Sequence, residues 1–306
     1  MRDEAAAAEA GYRPLLFSIA YGMTGSMGDA EDIVQDAFAG LARARRAGTA
    51  VGDSKAYLAT AVTRLGINHL SSARVRRERY VGDWLPEPVV VPAAGPGPAE
   101  HAELADSLSM AFLVLLEALS PAERAVFMLR EVFGYGYPEV AAITDKTAVT
   151  CRDIFARARQ RIATAGPPRG GARPAARRAD GEELARRFFE VAARGDLDAL
   201  LGMLAPDVVL HTAGGGQAQA AGTPLAGRQH VAQLLAGLLR RSRVLGASLR
   251  LAWVNGQPGA VMYDPDGRVV SVIELDVAGG VIQAMHAVVN PDKLGHIGPA
   301  SDDLRG

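Results

Sequence analysis

The longest helical pattern in the chain runs from Leu119 to Ile162. Ala125, Val126, Met128, Leu129, Val132 and Phe133 recur at the spacing of a helix with one apolar face. Ser120-Pro121-Ala122-Glu123 opens it: Ser120 suits the cap, Pro121 the first helical position, and Glu123 completes a capping box. Gly134 and Gly136 end this helix, and Pro138 starts a short one, Pro138–Ile143. Thr144-Asp145-Lys146 makes a tight turn, after which Thr147 caps a helix running to about Ile162. In that last helix Cys151, Ile154, Ala158 and Ile162 form an inward stripe, so Val149, Arg152, Asp153 and Ala156 face outward. A short helix, a tight turn and a longer basic helix together make the helix-turn-helix pattern.

The chain before this stretch is also helical. Arg13–Arg46 predicts two helices, with Leu15, Leu16, Ile19 and Ala20 on the first apolar face and Ile33, Val34, Ala37, Phe38 and Leu41 on the second. Gly22 and Gly25 interrupt them, and Asp29-Ala30-Glu31-Asp32 places acids at the positive end of the second helix dipole. Ser54–Leu70 predicts a third helix, with Leu58, Ala61, Val62 and Leu65 inward and Thr60, Arg64 and Asn68 opposite. From Gly82 to Ala102 the periodicity stops. Pro86, Pro88, Pro92, Pro96 and Pro98 forbid a helix and favour an extended connector, in which Trp84 is costly to leave exposed.

The pattern changes again beyond Ala163–Asp180, a Gly-, Pro-, Ala- and Arg-rich segment with no apolar face that predicts a flexible linker. Helical spacing resumes over Glu182–Leu204 and ends at Pro206. Asp207–Thr212, Leu249–Val254, Gly259–Tyr263, Val269–Val277 and Val281–Val289 read as strands, and His230–Arg241 as a helix. Two all-α domains followed by an α+β domain is the expected fold class.

Charge sharpens this division. The chain of 306 residues has a net charge of −1, but that balance hides segregation. Residues 81–118 contain six acids and no Lys or Arg, whereas residues 147–163 carry a net +3. Local charge, not the total, therefore bears on nucleic acid. Arg74, Arg76, Arg77 and Arg79, beside Asn68, Ser71 and Ser72, suit phosphates and exposed bases, or simply solvate a helix end. The single cysteine, Cys151, excludes an internal disulfide and a cysteine-cluster zinc site. No signal peptide or membrane-length apolar run is evident, Ala111–Leu116 being too short to span, so a cytoplasmic protein without a membrane partner is expected.

Three strings carry a resemblance: AYGMTGSMGDAEDIVQDAF (residues 20–38), AYLATAVTRLGINHLSSARVRRERYVGDWLPEPVV (56–90) and DSLSMAFLVLLEALSPAERAVFMLREVFGYGYPEVAAI (106–143). They resemble the extracytoplasmic-function sigma factors of bacterial RNA polymerase, in particular those with a fused C-terminal SnoaL-like cone. The resemblance implies sigma region 2 over residues 1–81, an acidic Pro-rich linker over 82–105, sigma region 4 over 106–165, a flexible linker over 166–181 and a SnoaL-like domain over 182–306. It implies the β′ clamp and β flap of core polymerase, and promoter DNA, as partners. Asp29, Glu31, Asp32, Gln35 and Asp36 would face the clamp. Arg64, Asn68, Arg74, Arg76 and Arg77 would lie near the −10 strand. Lys146, Thr147, Val149, Arg152, Asp153, Arg157 and Arg159 would serve the −35 element. Trp84, Leu85, Pro86, Glu87 and Pro88 of the linker would be clasped by the cone through Gly214, Gly215, Gly216 and the ending Asn290, Pro291, Asp292, Lys293 and Leu294, with Val288 beside them and Trp84 as the apolar anchor.

Two departures accompany the resemblance. Ala213 and Gln217 flank the three glycines where the family carries charges, and Asp145 stands where its turn usually has Gly, a change Asp tolerates. Asp207, His211, Tyr263, Glu274 and His286 are the polar candidates for a cone pocket, but nothing in their spacing specifies catalysis, a metal or a cofactor. The expected role is a sigma factor without catalytic activity of its own, regulated in cis by the cone, whose pocket admits a small ligand. A one-component ligand-responsive regulator and an isomerase-type enzyme are the alternatives.

Overall fold

The computed structural model describes residues 11–77, 83–92, 108–165, 176–216 and 223–299. In chain order these form α1 (Arg13–Thr24), α2 (Met27–Arg46), α3 (Ser54–Arg77), β1 (Val90–Pro92), α4 (Met110–Leu116) and α5 (Pro121–Phe127). They continue with α6 (Tyr137–Thr144), α7 (Ala148–Ala165), α8 (Ala176–Arg194), α9 (Leu197–Met203), β2 (Leu204–Ala213) and β3 (Leu225–Ala226). Last come α10 (Arg228–Val244), β4 (Ser248–Val254), β5 (Gln257–Tyr263), β6 (Val269–Ala278) and β7 (Val281–Val288). The chain divides into two compact units: Met1–Arg79 with Leu115–Pro167, and Tyr80–Val114 with Pro168–Gly306.

The first unit is all helix. Leu16, Ile19 and Met23 of α1, Val34 of α2 and Leu58 and Val62 of α3 are fully buried, as the apolar spacing predicts. Arg74, Arg76 and Arg77, expected to follow the third helix, lie within it, because α3 continues to Arg77, and Arg79 lies outside the described residues. At α5 the capping box forms: Ser120 Oγ accepts from the Glu123 amide, and the Glu123 carboxylate accepts the Ser120 amide at 2.9 Å. The long pattern that reads as one helix ends in a π turn, Met128–Val132, in which the Phe133 amide donates to Met128 O at 3.1 Å. Asp145 takes the left-handed backbone of the turn (φ 55°, ψ 50°), and the Lys146 amide donates back to Ala141 O. Arg124 of α5 is 2% exposed; its Nε donates to Gly22 O near the end of α1 at 2.9 Å, and its Nη1 pairs with Glu117.

In the second unit the described strands form one sheet in the order β1-β4-β5-β6-β7-β2-β3, antiparallel except for the β2–β7 pair. Phe188, Phe189, Leu200, Val231 and Leu235 from α8–α10 pack on Leu210, Ile273, Leu275 and Met285, one face of the sheet. On the other face Val254, Val261, Val272 and Val288 pack with Leu85, Met110 and Leu294. Gly259 allows β5 to approach β6, since a β-carbon there would collide with the Ile273 carbonyl.

The structure adds β1 and β3 to the strands read from sequence and runs β2 through Pro206. Pro206 is tolerated because the pairing of β2 with β7 breaks register between Leu204 and Val209. α8 starts at Ala176, inside the segment expected to be a flexible linker. The Pro-rich connector enters the sheet: Val90, Val91 and Pro92 pair with Val254, Trp253 and Ala252. Pro92 has no N–H to offer, and an edge strand is where that is least costly.

Asn255, after β4, holds this arrangement from a left-handed backbone (φ 48°). Its amide donates to Val89 O at 2.9 Å, its Oδ1 accepts the Val89 amide at 3.0 Å, and its Nδ2 donates to Leu108 O at 2.9 Å. Asn255→Ala removes the side-chain bonds to Val89 and Leu108 and strains the turn. It is expected to cost about 2–4 kcal/mol in denaturant unfolding of the second unit, with faster amide exchange at Val89.

Candidate nucleic-acid interface and linker clasp

On α2 the side chains of Glu31, Asp32, Gln35 and Asp36 are exposed, while Ile33, Val34 and Ala37 are buried. The apolar stripe of α2 thus turns the acidic face outward. Asp29 is set apart from the others, because His69 Nε2 lies 3.2 Å from its Oδ2.

Arg64 and Asn68 are exposed on α3, but Arg64 Nε donates to Ile143 O, at the end of α6, at 3.2 Å. The chain carries Arg74, Arg76 and Arg77 as the last turns of α3; their side chains lie outside the described residues.

The four apolar positions predicted to face inward on α7 are buried, and Lys146, Thr147, Val149, Arg152, Asp153, Arg157 and Arg159 are all exposed. Thr147 Oγ1 accepts the Thr150 amide at 3.1 Å and so caps α7. Arg152 and Arg130 both stack on Tyr137, at 5.3 and 5.0 Å, which orients Arg152 without consuming its donors. Arg161, further along the helix, lies 3.4 Å from Glu123. Burial raises the Glu123 pKa, but its hydrogen bonds to Ser120 and the nearby Arg161 and Arg157 outweigh this and hold it below the ordinary value.

The second unit grips the linker along its described length. Leu85 is fully buried against Leu294 and Val288, whereas Trp84 is half-buried with the Lys293 ammonium 4.5 Å from its ring. The buried anchor is therefore Leu85, not Trp84, because the indole keeps one side wet and supplies a face to a cation. Lys293 Nζ also donates to Leu85 O, and His296 Nε2 donates to Pro88 O at 2.8 Å. Asn290 caps the turn Pro291–Lys293, its Oδ1 accepting the Asp292 amide at 3.1 Å, and its own amide donates to Ala213 O just before Gly214. Gly215 and Gly216 have positive φ (61° and 76°); Gln217 lies outside the described residues. Pro86 and Pro88 are buried and Glu87 is half-exposed.

The polar cone candidates lie apart from the cavity that the described residues show. A half-open cavity of about 350 Å³ opens beside α8, α10, β4 and β5, with Phe189, Leu239, Leu249, Leu251 and Met262 as its apolar wall and Arg186, Glu190 and Arg243 at its rim. None of Asp207, His211, Tyr263, Glu274 and His286 lines it. Asp207 is exposed, and Tyr263 belongs to the sheet face that carries Leu85. His211, His286 and Glu274 are paired neighbours across β2, β7 and β6.

His286 Nδ1 donates to Glu274 Oε2, with the two side chains 3% and 0% exposed. Burial opposes a charged imidazole there, but Glu274, aided by Asp276 and Asp83, raises the His286 pKa above its ordinary value. His211 shifts the other way, lowered by burial and by His286 against the pull of Asp83 and Glu274.

Comparisons with known proteins fit this geometry. The Sigma-70 region 2 family matches residues 10–76, Sigma-70 region 4 matches residues 109–162, and the SnoaL-like domain matches residues 185–289. The chain is 35% identical over 292 residues to the ECF RNA polymerase sigma factor SigJ of Mycobacterium tuberculosis, covering 92% of this chain and 90% of that one. It is 34% identical to the probable ECF sigma factor SigI of the same organism, covering 95% of each. The crystal structure of SigJ superposes with a TM-score of 0.74 at 31% identity, over 95% of this chain and 98% of that one. The chain belongs to the extracytoplasmic-function RNA polymerase sigma factors. It is a sigma factor with a fused SnoaL-like domain rather than a one-component regulator. No helix among the described residues is long and apolar enough to cross a membrane.

The buried ion pair yields a pH signature. A histidine whose folded pKa is raised adds stability that is complete below its ordinary value and is lost as pH rises through the folded value. Wild type and Glu274→Gln should therefore differ most in melting temperature at about pH 6, and the gap should narrow towards pH 9. Calorimetry of both proteins at the two pH values measures it.

Proposed function

We propose that this sigma factor binds the β′ clamp of core polymerase through the exposed acidic face of α2, reads the −35 element with α7 and engages the −10 strand with α3. Its cone holds the linker between the two sigma regions in cis. The clasp of residues 83–92 on the second unit carries the regulatory part of this reading. Paired backbone at Val90–Pro92 and the buried Leu85 fasten the described stretch 83–92 to the cone, and a fastened stretch leaves less free chain to the rest of the connector. Residues 1–81 and 106–165 are the promoter-reading parts in this proposal, and 182–306 is a regulatory domain without chemistry of its own. Its cavity is the place for a small apolar ligand that would bias the clasp. The protein would work in the cytoplasm, with core polymerase.

The Arg64–Ile143 contact fits a resting state in which a −10 residue is engaged internally. Promoter binding by Arg64 requires that contact to open.

Two experiments test the proposal. Asp32→Lys with Asp36→Lys should abolish co-purification with core polymerase while circular dichroism stays unchanged; retained co-purification rejects the clamp assignment. In run-off transcription, Arg152→Ala should lose promoter discrimination worth about 1–3 kcal/mol. A chain ending at Asn290, which lacks Lys293 and His296, should differ in activity from the full chain in the same assay. Equal activity would leave the cone without a regulatory role.

A further inference from the structure

Asp83 is the first described residue after α3, and its Oδ2 lies 3.1 Å from Nδ1 of His211 on β2. The His211 ring stacks on His286, with centroids 5.2 Å apart and planes 11° from parallel. Behind His286 stands Glu274, whose Oε1 is buried with no hydrogen-bond partner among the described residues. The row Glu274–His286–His211 thus runs from the buried interior of the sheet to a half-exposed end, and that end meets the linker.

Such a row is a poor choice for stability alone. A buried ion pair gives up hydration that apolar side chains of similar size would not, so replacing it is often neutral or favourable. What it does supply is orientation: Glu274 fixes the tautomer and angle of His286, and the stacked ring fixes His211 with Nδ1–H aimed at the linker. The other fastenings, Lys293 on Leu85 O, His296 on Pro88 O and Asn255 on Val89, grip the main chain and would hold many sequences. Two contacts grip linker side chains by charge, the Lys293 ammonium over the Trp84 ring and His211 on the Asp83 carboxylate, and of these His211 is the one backed by a buried pair.

We infer that His211 is a positioning residue that latches the linker through Asp83, its ring held in place by the His286–Glu274 pair. The inference deepens the proposed in-cis clasp and rests on it. The latch sets where the linker begins, immediately after sigma region 2, and ties that point to the side chain of a single residue.

The test uses the full chain and hydrogen–deuterium exchange read by mass spectrometry, with peptides covering residues 83–92 and, as a reference, the β6–β7 pair. His211→Phe keeps a ring to stack on His286 and removes the donor. His211→Asn keeps a donor at the Nδ1 position. Asp83→Ala removes the acceptor. His211→Phe and Asp83→Ala should each speed exchange in 83–92 about tenfold, the scale of one charge-assisted hydrogen bond, and leave β6–β7 unchanged. The double variant should be no faster than either single one, and His211→Asn should stay near wild type. Unchanged exchange in the single variants, additive effects in the double one, or loosening that spreads through β6–β7 would each overturn the latch. Transcription is read separately: a released linker with unaltered activity supports the latch and rejects the regulatory role of the clasp instead.

Discussion

A proline-rich connector cannot satisfy its own backbone, and this constraint organises the second unit. Residues 83–92 have no helix to close their hydrogen bonds and contain prolines that cannot donate. Their polar groups are met from outside. Leu85 O receives Lys293, Pro88 O receives His296, and Val89 exchanges bonds with both the backbone and the side chain of Asn255. The connector becomes ordered because the SnoaL-like sheet offers an edge at β4 and a buried socket for Leu85. Covering that edge also removes an open strand that would otherwise invite association. The linker and the sheet each complete the other.

The first unit is held by a different device. Arg124 brings a guanidinium into a nearly closed environment and spends it on Gly22 O and Glu117. Gly22 lies in the last turn of α1, where backbone carbonyls present the negative end of the helix. A buried arginine in that position is specific, because a shorter or neutral side chain would lose the donors that reach both Gly22 O and the Glu117 carboxylate. Arg64 makes a similar but exposed contact with the end of α6. One contact is buried and costly to break; the other is open to solvent and cheaper to break.

The local features of this chain were legible in the sequence. The Ser120–Glu123 box, the inward stripe from Cys151 to Ile162 and the left-handed Asp145 depend on residues a few positions apart. What escaped the reading depends on residues far apart in the chain. Nothing near Asn255, His296 or Arg124 shows that each will serve a distant carbonyl. The polar cone residues were read as a pocket because alternation separates two faces of a strand without saying which one the helices cover. β6 is buried almost throughout, its polar Glu274 and Asp276 included, so burial does not mark which face meets the helices. His286 and Glu274 consequently lie on the linker side, away from the cavity. Trp84 drew attention by its size, while Leu85, an unremarkable residue in sequence, holds the buried position.

A clasp made largely of single hydrogen bonds to main-chain carbonyls would be weak between separate proteins. Here the two partners share one chain, and a tethered contact acts at an effective concentration of order millimolar. Weak contacts therefore suffice for the proposed clasp to be populated. This explains the division of labour along the linker. Burial of Leu85 supplies affinity of about 1.5–3 kcal/mol that depends little on conditions. The Lys293, His296 and Asp83–His211 contacts are polar and half-exposed, so they can be exchanged for water or for another partner at small cost. In the proposed clasp, one buried apolar anchor holds the described stretch 83–92 while the half-exposed polar contacts around it would be the ones to exchange.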